Sequence, residues 1–126
     1  KEQLAALERK KKKSLATAQD LLQKKSIDEA ELIFKQLIEE FDKDFQLKID
    51  ISDILINAQH YKRAIKYLKL ANKQQPNSVH VFNRLGMILR KLGKYEQSEK
   101  AYQQALKLHP DDEYLCFNVG RLYIDS

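Results

Sequence analysis

Residues 79–112 read VHVFNRLGMILRKLGKYEQSEKAYQQALKLHPDD, two helical patterns joined at Gly93 and closed by Pro110. In the second pattern Tyr95, Ser98, Tyr102, Ala105 and Leu106 fall close to helical spacing, which gathers them on one face. Gly93 fits a left-handed helix stop between two helices. Pro110-Asp111-Asp112 ends the second helix and offers N-cap residues to whatever follows.

The same grammar recurs on either side at a spacing of 34 residues. Ile27, Tyr61 and Tyr95 share a register, as do Ala30, Ala64 and Ser98, then Phe34, Leu68 and Tyr102, then Leu37, Ala71 and Ala105. Asp42, Pro76 and Pro110 close each unit, and Leu21, Leu55, Leu89 and Tyr123 mark the first half of four successive units. Ala18, Ser52, Gly86 and Gly120 place a small residue three positions before each of these. Small residues on facing helices let two backbones approach while large neighbours fill the surrounding space, so each unit reads as a pair of helices. Ser26 with Glu29 has the form of a capping box opening a helix, and Pro76-Asn77-Ser78 repeats the stop-and-cap punctuation of Pro110-Asp111-Asp112.

Phe82, Leu85, Gly86, Leu89, Gly93, Tyr95, Ser98, Tyr102, Ala105 and Pro110 together resemble a tetratricopeptide repeat. Phe82 and Leu89 replace the commoner Trp and Tyr, and Ser98 the commoner Ala. The unit at 45–78 departs further, with Lys48 for a large apolar residue, Ser52 for Gly and Gln59 for Gly. The unit at 11–44 has Ser14 in place of an aromatic and Asp42 in place of Pro. The resemblance implies an all-α fold, a right-handed superhelix of antiparallel helix pairs, with units 11–44, 45–78, 79–112 and a partial unit 113–126. Helices are expected near 2–25, 27–41, 45–58, 61–74, 79–92, 95–108 and 113–124. Residues 1–13 read as a helical extension or linker. Phe45 to Ile51 alternates apolar and polar residues as a strand would; the 34-residue register assigns it to a helix instead.

Composition narrows the function. Gly and Pro number 3 and 2, too few for a many-stranded sandwich. No apolar run approaches the ~18–20 residues of a membrane span, and no signal-peptide core follows the charged N-terminus. The single cysteine, Cys116, excludes an internal disulfide framework and suits a reducing, cytoplasmic compartment. The net charge of +5 comes from residues 1–25, mostly Arg9 to Lys13, while residues 26–126 balance to zero. A neutral body lacks the spread footprint of a phosphate binder, so no specific nucleic acid is expected.

No catalytic or metal-binding constellation is present, and an enzyme is not expected. His60, His80 and His109 lie apart, with no ligand at i+3 or i+4. Gly86, Gly93 and Gly120 are too dispersed for a phosphate loop. Glu39-Glu40 and Asp111-Asp112 read as a solvated helix end and an N-cap. Cys116 occupies a register where the family resemblance implies a large buried residue, hence a buried structural thiol. No cofactor is expected.

The resemblance implies a concave face lined by the first helix of each pair. It places there Leu15, Gln19 and Leu22; then Ile49, Asp53, Ile56 and Asn57; then His80, Asn83, Met87, Arg90 and Lys91; then Tyr114, Phe117 and Arg121. The apolar members make this face a candidate partner site. The implied function is a protein-interaction scaffold that holds a peptide or partner helix in the groove. One alternative is a repeat array regulating a catalytic or signalling domain elsewhere in its parent. Another is nucleic-acid or anionic-membrane association through the basic N-terminal helix. A clamp for chaperone-tail carboxylates is not expected, because the matching residues are Leu15, Gln19, Asp50, His80 and Arg84, of which only Arg84 fits. The asparagine ladder of sugar-transferase repeats fails likewise at Ala16, Asp50 and Arg84, though Asn118 fits. The chain starts at Lys and stops inside a fourth unit, so a longer parent is expected. Val119, Leu122 and Tyr123 are then expected to lack a covering helix, and the chain to self-associate through residues 113–126.

Overall fold

A computed structural model describes residues 2–125; the side chain of Tyr114 lies outside the described set. The order is α1 (Glu2–Gln23), α2 (Ile27–Glu40), α3 (Phe45–Asn57), α4 (Tyr61–Gln74), α5 (Val79–Lys91), α6 (Tyr95–Leu108) and α7 (Glu113–Asp125), with no strand among the described residues. The bounds follow the sequence expectation closely, and residues 2–13 are continuous with α1.

Three turns are built alike. Lys25, Gln59 and Gly93 stand 34 residues apart and all have positive φ, at 64°, 66° and 78°. Each follows a first helix and closes it with the same pair of bonds. The amides of Lys25 and Ser26 donate to the carbonyls of Leu22 and Leu21; Gln59 and His60 donate to Ile56 and Leu55; Gly93 and Lys94 donate to Arg90 and Leu89. This is the Schellman closure, which wants glycine at the left-handed position. Only the third unit supplies it.

At the other ends, side-chain capping is selective. Asp44 and Asp112 accept from the amides of Leu47 and Leu115, each at 3.0 Å. Ser26 and Ser78 make no side-chain cap. The expected capping box at Ser26 is therefore not formed, because Ser26 is already the second residue of the Schellman closure behind it and its ψ of 66° lies outside the extended range.

Helix pairs pack α1 on α2, α3 on α4 and α5 on α6. The small-residue positions sit at these contacts: Ala18, Ser52 and Gly86 are buried. A Cβ on Gly86 would lie 2.6 Å from the Tyr102 ring, so glycine here permits the contact. Ser98 Oγ donates to the Gly86 carbonyl at 2.6 Å across the same seam. Gly120 differs, since a Cβ there would meet nothing within 4 Å. The core forms two clusters on opposite sides of α5. The larger runs from Ala18 to Val81 and Ile88; the smaller holds Tyr102, Ala105, Leu115 and Leu122 with Val79 and Phe82 against it.

α3 reads like a strand because it is the central helix. It packs on α2, α4 and α5, and buries Leu47, Lys48, Ile49, Ile51, Ser52 and Leu55. A helix enclosed on several sides loses the one-sided pattern that would identify it. Lys48 fits because its stem fills the apolar position while its ammonium leaves the core at the loop, donating to the Asp42 carbonyl and to Gln74 Oε1.

Candidate functional site

The first helices lie side by side, α3 against α5 and α5 against α7. Two polar bridges tie their shared face. Arg84 Nε and Nη2 donate to the two carboxylate oxygens of Asp53 at 2.6 and 3.0 Å, a bidentate pair between α5 and α3. Asn118 Nδ2 donates to Asn83 Oδ1 at 2.9 Å, joining α7 to α5. The first bridge commits the charges of Asp53 and Arg84 to each other, and the second fixes the side-chain amide of Asn83.

Three depressions open along this face. One of about 370 Å³ between α1 and α3 is lined by Gln19, Leu22, Gln23, Ile54, Asn57 and Ala58. A second, about 200 Å³, lies nearer the start of α3 and includes Lys12, Leu15, Asp44 and Asp50. A third, about 250 Å³, is lined by Val79, His80, Asn83, Arg84, Asp112 and Leu115.

The sequence-derived site residues separate into groups. Gln19, Leu22 and Asn57 share the first depression, Leu15 lies in the second, and His80 and Asn83 share the third. Ile56 and Met87 are half-buried, Lys91 and Arg121 are exposed, and Phe117 is 60% exposed with the Arg121 guanidinium 5.9 Å from its ring centre. Leu22, Ile49 and Arg90 are buried. Ile49 and Arg90 must be corrected as anchors for a partner: Ile49, only 2% exposed, belongs to the main core, and Arg90 Nη1 is bound to Asp125 Oδ2 at 2.6 Å, whereas Leu22 still lines the first depression. Tyr114 is outside the described side chains. Sequence reasoning missed Gln23, Ile54 and Ala58. They flank the turn after α3 and the end of α1, so only the stacking of one unit on the next brings them together.

The C-terminal helix corrects three expectations. Leu122 is buried against Tyr102 and Leu115 and does not await a covering helix. Val119 is half-buried on the same cluster, whereas Tyr123 is exposed. Cys116 is exposed rather than buried, because in the inner units its register packs on the second helix of the same pair and no described helix follows α7.

The basic run of α1 is partly used. Lys10 pairs with Glu40 at 2.7 Å. Lys11 pairs with Asp44 and Glu8 at 2.6 and 2.7 Å and lies 4.9 Å from the Phe41 ring centre. The Asp44 and Glu8 bonds raise the Lys11 ammonium above its ordinary value. Burial, the largest single influence, would raise the Asp44 carboxyl, but the bonds from Lys11 and the Leu47 amide together with the charges of Lys11 and Lys48 outweigh it and lower that carboxyl. Among the described residues no group of three or more His, Cys, Asp or Glu could hold a metal, and no helix is long and apolar enough to cross a membrane.

Comparison with known proteins follows this geometry. The sequence profile described as tetratricopeptide repeat matches residues 21–85, and a second of the same description matches residues 80–112. No curated protein sequence matches the chain. Among solved structures, MamA MSR-1 C2 is similar at 18% identity and a TM-score of 0.64 over 87% of this chain; the chain spans 63% of MamA. The Arabidopsis OM64 TPR domain is similar at 14% identity and a TM-score of 0.68, covering 90% of this chain and 94% of that one. The first TPR of Spaghetti (RPAP3), solved bound to the HSP90 peptide SRMEEVD, is similar at 16% identity and a TM-score of 0.69, covering 91% of each chain. At these identities the likeness carries the fold, a solenoid of antiparallel helix pairs, and the profile matches carry the family. The chain belongs to the tetratricopeptide repeat family.

Proposed function

We propose that the chain is a protein-interaction scaffold that holds a peptide segment or partner helix against the concave face of its first helices. The carrying observation is the division of that face. Ile49 is consumed by the core, while Ile56, Met87 and Phe117 keep apolar surface along the face whose depressions are edged by Gln19, Leu22, Asn57, His80 and Asn83. Apolar anchors with a few convergent polar groups suit an uncharged or amphipathic segment. A chaperone tail is not the proposed ligand, although the Spaghetti neighbour was solved bound to an HSP90 peptide. The single basic residue at the matching positions, Arg84, is already neutralised by Asp53, and Asp50 would repel a terminal carboxylate. The basic run of α1 gives weaker support to a nucleic-acid reading, because Lys10 and Lys11 are held by the body of the protein. A reducing, cytoplasmic compartment is proposed from the lone cysteine.

The test is a displayed peptide library panned against the folded chain. Selected peptides should carry two or three apolar anchors and lose at least tenfold in affinity when Ile56 and Met87 are both changed to Gln, since each buried apolar side chain contributes roughly 1.5–3 kcal/mol. Enrichment of acidic C-terminal tails, or binding indifferent to the double variant, would overturn the reading.

A further inference from the structure

The second helices α2, α4 and α6 lie on the side that the family resemblance makes outer and convex, and their exposed rows are unevenly charged. Register places Leu32, Lys66 and Lys100 in one row, then Lys35, Lys69 and Gln103, then Gln36, Leu70 and Gln104, then Glu39, Lys73 and Lys107. Every one of these twelve positions is exposed. They hold six lysines and a single acid, Glu39. Of the six, only Lys66 is in an ion pair among the described residues, with Glu31 at 3.5 Å. α4, the middle helix, contains Lys62, Arg63, Lys66, Lys69 and Lys73 and no acidic residue. The neutrality of residues 26–126 is therefore an average: exposed acids gather on α2 (Asp28, Glu29, Glu39, Glu40) and at Glu96, while α4 and the later part of α6 are basic.

We propose that this convex lysine face docks the protein on an anionic lipid surface. Four observations favour a bilayer over other polyanions. The outward rows contain lysine and no arginine, so they offer hydrated point charges and no bidentate fork for a particular carboxylate or phosphate. They contain no aromatic residue on which a base could stack. A convex face meets a plane along its central ridge, which here is α4, the most basic helix, whereas it cannot enclose a thin strand. Leu70, 39% exposed among Lys66, Lys69 and Lys73, supplies apolar contact at the headgroup boundary. The concave face points away from such a surface and stays open to a protein segment.

The experiment is co-sedimentation with vesicles of phosphatidylcholine mixed with phosphatidylserine, against vesicles of phosphatidylcholine alone. The wild-type chain should sediment only with the mixed vesicles and should be released as ionic strength rises. A Lys69→Gln, Lys73→Gln, Lys107→Gln variant should bind roughly 100-fold more weakly, at about fivefold per lysine. Among the described residues none of the three is in an ion pair, and an unchanged circular-dichroism spectrum verifies the fold. An Arg9→Gln, Lys12→Gln, Lys13→Gln variant on α1 should bind within a few-fold of wild type. The proposal is overturned if wild type ignores the mixed vesicles, if the α1 variant loses as much as the α4–α6 variant, or if a random DNA duplex or polyglutamate is bound where vesicles are not.

Discussion

The Tyr67 hydroxyl on α4 donates to Glu31 Oε2 on α2 at 2.7 Å, and Arg63 Nη1 holds the other carboxylate oxygen at 3.1 Å. Burial on its own would raise the Glu31 carboxyl, but these bonds and the nearby Lys66 charge bring it below its ordinary value. Tyr67 is raised well above its own, first by burial and then by Glu31. Because the folded Glu31 binds its proton less readily than the unfolded chain does, its stabilisation is present above about pH 4.5 and is lost as pH falls through the lower folded value. Urea titrations across this window should show a declining midpoint in wild type and a shallower decline in Glu31→Gln. Glu31→Ala, which leaves the buried Tyr67 hydroxyl without its acceptor, should cost about 1–3 kcal/mol at neutral pH.

Gly86 is held by the Tyr102 ring. Gly86→Ala places its Cβ 2.6 Å from that ring, and overpacking of this kind costs about 1–3 kcal/mol. Gly120→Ala, in the same register on α7, meets nothing within 4 Å and should leave the melting temperature unchanged or raise it slightly. Equal losses at the two glycines would contradict the packing described for the α5–α6 seam.

Gln59 and Lys25 carry a conformation that glycine adopts without strain. Gln59→Gly should stabilise the chain by about 0.5–1 kcal/mol, the relief of a left-handed side-chain residue less the greater freedom of glycine when unfolded. Gly93→Ala should destabilise by a similar amount. Thermal melts of the two variants should therefore move in opposite directions.

Cys116 should react as an exposed thiol. A thiol-specific disulfide reagent should label it in the native chain about as quickly as in denaturant, since no described helix covers it. Protection that disappears only on unfolding would restore the buried register first expected for it.

The fold was legible because its signals are periodic. Three helix stops, three aromatic-or-leucine positions and four small residues recur at one spacing, and the register was strong enough to assign α3 to a helix despite its alternating pattern. The face of the site was less legible. Whether Ile49 or Ile56 reaches solvent depends on how one unit leans on the next, and that tilt is not written in any single position. Cys116 and Leu122 went astray in opposite ways, because a register fixes which way a side chain points but not what stands opposite. The lysine face was hidden by summing charge along the chain, when the relevant sum runs across α4 and α6, whose registers stand 34 residues apart.

α5 stands as the common wall of two unequal cores, and this gives the chain an order of coming apart. The smaller core holds α7 through Leu115 and Leu122 against Tyr102, while α3 is enclosed by the larger. In a solenoid whose contacts reach only the neighbouring unit, one end can open while the other persists. Amide hydrogens of α7 should thus exchange through partial openings that leave those of α3 protected. A protease meeting such an opening would release the last helix and leave intact the three pairs that carry the lysine rows.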